Sequence, residues 1–157
     1  MEDEINRLIA GEVTTMNTDQ SDFFADEVIK KADEISALDL ILRAQSDSAT
    51  VGFDFANIDI VREKVEEELR EMIEAFRDRD TDFEHFAEEL GDCFFALVNL
   101  CRHAGIDPES LARQNAIKYL ARCKYIEEKL RETEQCWRDL TPQQIYVLWK
   151  EAKQSGL

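Results

Sequence analysis

Glycine and proline are scarce in this chain, five and two among 157 residues. That scarcity disfavours a turn-rich β architecture and favours long helices. Cys93, Cys101, Cys123 and Cys136 show no C-x-x-C spacing, which argues against a zinc site or a disulfide framework; Cys93 and Cys101, on the apolar face of their helix, read as small core residues, and a reducing, cytoplasmic setting is expected. No apolar run is long enough for a membrane span, and the opening residues lack a basic, apolar leader. Basic residues are the minority, 19 against 35 acidic, for a net charge of −16. Such a surface repels nucleic-acid backbones and anionic membranes, so neither is expected as a partner. It repels a free nucleotide as well, so any phosphate site here needs a cation and local Lys or Arg.

What the chain does have is apolar bulk and acidic pairs. Apolar residues make up 44% and phenylalanine alone supplies nine, enough for a real core. The length suits one domain, expected over residues 21–157. Residues 1–20 are polar and acidic and read as a flexible or linker-like segment, with room for a short helix over Glu2 to Ala10. A helix is expected from a cap at Ser21 or Asp22 to about Gln45, then a loop through Val51 to Phe55. Two arms follow, about 57–79 and 81–104, with Asn57 and Thr81 as N-caps and a Thr81/Glu84 capping box. Asp107 and Pro108 open another helix to about Leu130. Residues 131–140 read as irregular, and Thr141-Pro142 begins a last helix to about Gln154.

The two arms carry the chemistry. Glu68 and Glu71 form an E-x-x-E pair, and Glu89 and Asp92 an E-x-x-D pair. Residues three apart share a helix face. A hairpin turning near residue 80 sets Glu68 level with Asp92 and Glu71 level with Glu89. Four carboxylates in one place repel unless a cation sits among them. Oxygen-only ligands select Mg²⁺, with Mn²⁺ as substitute, and Mg²⁺ so held usually takes phosphate oxygens as further ligands. Two solvated acidic faces would show the same spacing.

Phase favours the site. Val61, Val65, Leu69, Met72 and Phe76 make an apolar stripe on the first arm, flanked by Glu68 and Glu71. On the second, Phe83, Phe86, Leu90, Cys93, Leu97 and Cys101 make the stripe beside Glu89 and Asp92. Lys64, Glu68, Glu71, Ala75 and His85, Glu89, Asp92, Ala96 repeat one pattern of offsets. Small Ala75 and Ala96 would leave room. Gly91, which costs about 1 kcal/mol in mid-helix, would fit a close approach by metal, substrate or another helix. Phe94, Phe95, Val98 and Leu100 spread apolar surface around the second arm, so a second subunit is expected.

The run K-V-x-E-E-x-x-E followed by E-E-x-G-D resembles the MazG nucleoside triphosphate pyrophosphohydrolases. Val51-Gly52-Phe53-Asp54-Phe55 is similar to their V-G-F-D-W segment, and Ala96 to His103 to the stretch after their Asp. Lys118, Arg122 and Glu127 match a K-F-x-x-R-F run, and Trp149 and Lys153 a terminal W-x-x-x-K. The likeness covers about residues 38–154 and is nearest to the second domain of two-domain MazG proteins. Ser46, Asp47, His85 and Ala116 depart from the family's usual residues.

The resemblance implies an all-α fold, with antiparallel helical hairpins forming a four-helix-bundle-like core completed by dimerisation, or by a higher oligomer. It implies Mg²⁺-dependent hydrolysis of nucleoside triphosphates to the monophosphate and pyrophosphate, a nucleotide-pool house-cleaning activity. Glu68, Glu71, Glu89 and Asp92 would bind metal, and Glu68 or Glu67 would take a proton from the attacking water. Lys118 and Arg122, four apart, suit a phosphate clamp or a solvated basic face equally by spacing; the resemblance favours phosphate. His85 would touch phosphate, while Trp149, Phe53 and Lys153 would border the base. A non-catalytic helical dimer that keeps the fold is the alternative. A di-iron bundle would need E-x-x-H motifs, which neither arm has.

Overall fold

Ser36 and Asn57 set where the first long helices begin. A computed structural model describes residues 24–157, so the expectations for residues 1–20 and for a cap at Ser21 or Asp22 lie outside the described residues. The described helices are α1 (Ala25–Ile29), α2 (Ala37–Thr50), α3 (Ile58–Asp78), α4 (Phe83–His103), α5 (Pro108–Glu132) and α6 (Pro142–Gln154), with a 3₁₀ turn over Trp137–Asp139. No strand occurs among the described residues. The chain divides into two compact units, one closing at Glu109 and the other Ser110–Leu157.

The continuous helix expected up to Gln45 is two. Turns occupy residues 30–34, and Ser36 restarts the chain as N-cap, its hydroxyl accepting from the Asp39 N–H at 3.1 Å. Free of Gly and Pro, α2 runs on to Thr50 rather than stopping near residue 45. Asn57 caps α3 as expected, its Oδ1 accepting from the N–H groups of Asp59 and Ile60 at 3.0 and 3.2 Å. The next cap is Asp82, not Thr81: the Asp82 carboxylate accepts from the His85 N–H. Thr81 donates its hydroxyl to the Asp78 carbonyl instead, so the Thr81/Glu84 box does not form. Thr141 and Gln144 do form a reciprocal capping box at α6.

In the first unit α3 and α4 pack along their length, and α2 packs on α4. The buried seam of α3 is Val61, Glu68 and Ala75, one residue out of phase with part of the expected stripe. Leu69 and Phe76 are each 47% exposed, as are Leu90 at 49% and Leu97 at 48% on α4. Glu68 therefore sits on the seam itself rather than beside it. A side chain built at Gly91 meets nothing within 4 Å among the described residues, so no described helix of this chain approaches it closely.

The loop after α2 is tied to the end of α4. Arg102 donates to both Asp54 carboxylate oxygens, and His103 Nε2 lies 3.0 Å from Asp54 Oδ1. Burial alone would push the Asp54 carboxyl up, but Arg102, His103 and the Phe55 N–H outweigh it and hold it below the usual range. A depressed folded pKa means the fold favours the ionised form. Its contribution is complete above the unfolded pKa of about 3.9 and fades as pH falls through the lower folded value. Asp54→Asn should cost about 1–3 kcal/mol at pH 7. Urea denaturation should show the gap between wild type and variant closing in strong acid.

The second unit holds α5 from Ser110 onward, the 3₁₀ turn and α6. Its buried residues are Ile126, Leu130 and Ala152. Tyr119 and Trp149 meet with ring centroids 5.2 Å apart, joining α5 to α6.

Candidate metal centre

The α3–α4 hairpin brings together three of the four carboxylates that the register aligns. One oxygen from each of Glu68, Glu89 and Asp92 lies within 4.8 Å of the other two. Burial is graded across them: Glu68 is buried, Glu89 half-buried and Asp92 exposed. The group therefore has a floor in the seam and an edge open to solvent, as a site that must admit a substrate requires. Glu71, the fourth expected ligand, lies outside that trio and is exposed. Partial desolvation, then the charges of Glu68 and Glu67, push its carboxyl up, with Glu89 adding to them. Its proton affinity thus reports a neighbourhood rich in negative charge.

Cys93 reports the same neighbourhood from within. Burial raises its thiol, and the charges of Glu68, Glu89, Asp92 and Glu71 raise it further. Cys93 is a buried residue of α4.

Lys64 is the cation already present. Its Nζ lies 2.7 Å from Glu68 Oε1 and donates to Glu67 Oε1 at 3.0 Å. Partial burial works against its charge, but the hydrogen bonds to Glu68 and Glu67 prevail and raise its pKa well above the ordinary lysine value. A buried carboxylate without such a partner would be strongly disfavoured. His85 takes the equivalent place on α4, with Nδ1 3.5 Å from Glu89 Oε1. The repeat of Lys64-Glu68 by His85-Glu89 in sequence thus places a nitrogen-bearing side chain beside a carboxylate on both arms.

The donor set fits a hard divalent ion. All candidate ligand atoms are carboxylate oxygens, clustered closely enough to share one ion and under-neutralised by Lys64 alone. Glu67 stands next to Glu68, held by the same lysine.

The other expected site residues fall elsewhere. Phe53, 75% exposed, lines a cavity of the first unit. Lys118, Arg122, Trp149 and Lys153 belong to the second unit. There the Arg122 guanidinium lies 5.3 Å from the Trp149 ring centroid, and its Nε donates to the Leu157 carbonyl at 2.9 Å. Lys64 was missing from the expected site residues although it precedes Glu68 by one helical turn and opens both the repeated offset pattern and the K-V-x-E-E run. Nothing in the sequence marked Gln45, which is buried on α2.

Residues 57–126 match the family model of the MazG nucleotide pyrophosphohydrolase domain. The chain is 35% identical to a nucleoside triphosphate pyrophosphohydrolase/pyrophosphatase MazG of Thermotoga maritima, over 76% of this chain and 45% of that protein. It is 31% identical to a nucleoside triphosphate pyrophosphohydrolase of Escherichia coli, over 69% of this chain and 47% of the relative. A protein of Bacillus subtilis named uncharacterized protein YabN is 37% identical over 43% of this chain and 14% of its own length. The chain thus spans less than half the length of the curated relatives it matches.

Proposed function

This chain carries a MazG nucleotide pyrophosphohydrolase domain over residues 57–126, and from that premise we propose that it hydrolyses nucleoside triphosphates to monophosphate and pyrophosphate. The observation that best supports this reading is the meeting of Glu68, Glu89 and Asp92 oxygens within 4.8 Å on one helical hairpin. Mg²⁺ held by these three and Glu71, with Mn²⁺ as substitute, would neutralise the triphosphate and acidify the attacking water. Glu68 or Glu67 takes a proton from that water as its oxygen attacks the α-phosphorus. The bond from the α-phosphorus to the bridging oxygen breaks, and pyrophosphate departs with the electron pair. Lys64 bridges the two carboxylates, so it sets which is free to act as base. His85, beside Glu89 on the same hairpin, neutralises phosphate oxygens, and Phe53 borders the base. The nucleotide partner and the reduced cysteines suit a cytoplasmic enzyme.

The test is product identity. Nucleoside and deoxynucleoside triphosphates incubated with Mg²⁺ or Mn²⁺ should yield monophosphate and pyrophosphate. Diphosphate plus phosphate, or no turnover with any substrate, would overturn the assignment; the second result would leave a helical interaction module.

The working unit on this reading is a homodimer in which two α3–α4 hairpins build a four-helix bundle. The support is a pair of exposed apolar stripes at helical spacing. Leu69, Ile73 and Phe76 line α3, and Leu90, Phe94 and Leu97 line α4, each 47–50% exposed. Contiguous apolar surface of this kind marks an interface. Sedimentation should give twice the 18.2 kDa chain mass. Phe94→Glu should shift the equilibrium to monomer by at least about tenfold, the loss of one buried aromatic anchor.

A further inference from the structure

Glu68 is buried, 7% exposed, on a seam that it shares with Val61 and Ala75. Water solvates it poorly there, so it keeps its charge only against a positive partner. Two cations compete for that place. One is a divalent ion gathered with Glu89 and Asp92, whose oxygens come within 4.8 Å of a Glu68 oxygen. The other is built into the chain. Lys64 Nζ, one helical turn earlier, lies 2.7 Å from Glu68 Oε1.

Lys64 differs from an ordinary buried partner because it has a second carboxylate to turn to. It also donates to Glu67 Oε1 at 3.0 Å, and the Glu67 side chain is 47% exposed. Lys64 itself is 37% exposed, on a flexible four-carbon stem. A rotation of that stem carries the ammonium off Glu68 without leaving it unpaired or taking it out of water. Glu68 has no such freedom on its buried seam. An ammonium and a dication drawn to one carboxylate repel each other at short range. They exclude each other rather than share it.

We propose that Lys64 is a displaceable internal cation of the metal centre: it neutralises Glu68 until a divalent ion takes that carboxylate, and then withdraws onto Glu67. The exchange keeps the buried charge compensated throughout, so the hairpin holds its fold with or without the ion. It also lowers the affinity of the site, because an incoming ion must first dislodge the lysine. The divalent ion rests on the pyrophosphohydrolase reading; the contact of Lys64 with its two carboxylates does not.

Calorimetric titration of Mn²⁺ into wild type and Lys64→Met tests the exchange. Methionine fills similar space without the charge, and the variant should bind Mn²⁺ at least about tenfold more tightly. Lys64→Arg, which keeps the charge, should show no such gain. Equal or weaker binding by Lys64→Met overturns the proposal, since the lysine would then be a bystander or a support for Glu68. Failure of both wild type and Lys64→Met to bind overturns it together with the metal reading, so the two failures are told apart. Melting separates this role from a merely structural one. Without metal, Lys64→Met should melt at least about 5 °C below wild type, and saturating Mn²⁺ should close the gap. A gap that persists in Mn²⁺ contradicts displacement. If the variant does not fold, a crystal structure of the wild type with Mn²⁺ decides. Lys64 Nζ should lie beyond about 3.5 Å from both Glu68 oxygens and within that distance of a Glu67 oxygen. Nζ still bonded to Glu68 beside the bound ion overturns the proposal.

Discussion

Asp92→Asn is expected to cut pyrophosphate release about a thousandfold, the equivalent of about 4 kcal/mol of transition-state stabilisation. The fold should not notice. Asp92 is exposed at the rim of the cluster, and replacing it removes one negative charge from a group that repels itself. The melting temperature should hold or rise slightly. Loss of activity with intact melting separates a site residue from a packing residue. Full activity in this variant would mean that the carboxylates brought together by α3 and α4 are not the reaction centre.

Glu68→Met should go further in both directions. Glu68 lies on the buried seam between Val61 and Ala75, where an apolar side chain of similar length fits the pattern of its neighbours. Lys64 would not be stranded, since it also bonds Glu67 at 3.0 Å and its side chain is 37% exposed. Replacing a buried charge under those conditions should stabilise the chain by about 1–2 kcal/mol. Turnover should fall to background. Calorimetric melting and a pyrophosphate assay on the same sample check both halves. A lower melting temperature would mean that the Lys64–Glu68 pair contributes more to the fold than its desolvation costs. Greater stability without the carboxylate would show that the seam carries Glu68 for chemistry rather than for packing.

The hairpin and its acidic trio were legible because they depend only on helical period and a turn position. Both survive an error of a residue or two at the helix ends. The caps were legible where one residue type stood alone, as Asn57 did. At Thr81 and Asp82 two good caps stand side by side, and spacing does not choose between them; the choice lies with the Asp78 carbonyl, which takes the Thr81 hydroxyl. The break before Ser36 left no trace because the segment has neither Gly nor Pro. The phase of α3 was misread for a physical reason. Its apolar residues serve two surfaces, the seam with α4 and the exposed stripe of Leu69, Ile73 and Phe76. A single pattern averaged over both sits between them. Gln45 was beyond reach altogether, since a polar residue near a helix end looks solvated until the loop from Val51 to Phe55 and α4 are placed around it.

The central claim is that the hairpin carboxylates form one shared cation site, and titrating Mn²⁺ into the protein by calorimetry tests it most directly. Wild type should bind saturably, and both Asp92→Asn and Glu89→Gln should weaken binding by at least about tenfold while melting cooperatively. Equal binding by all three proteins, or none by wild type, would contradict it.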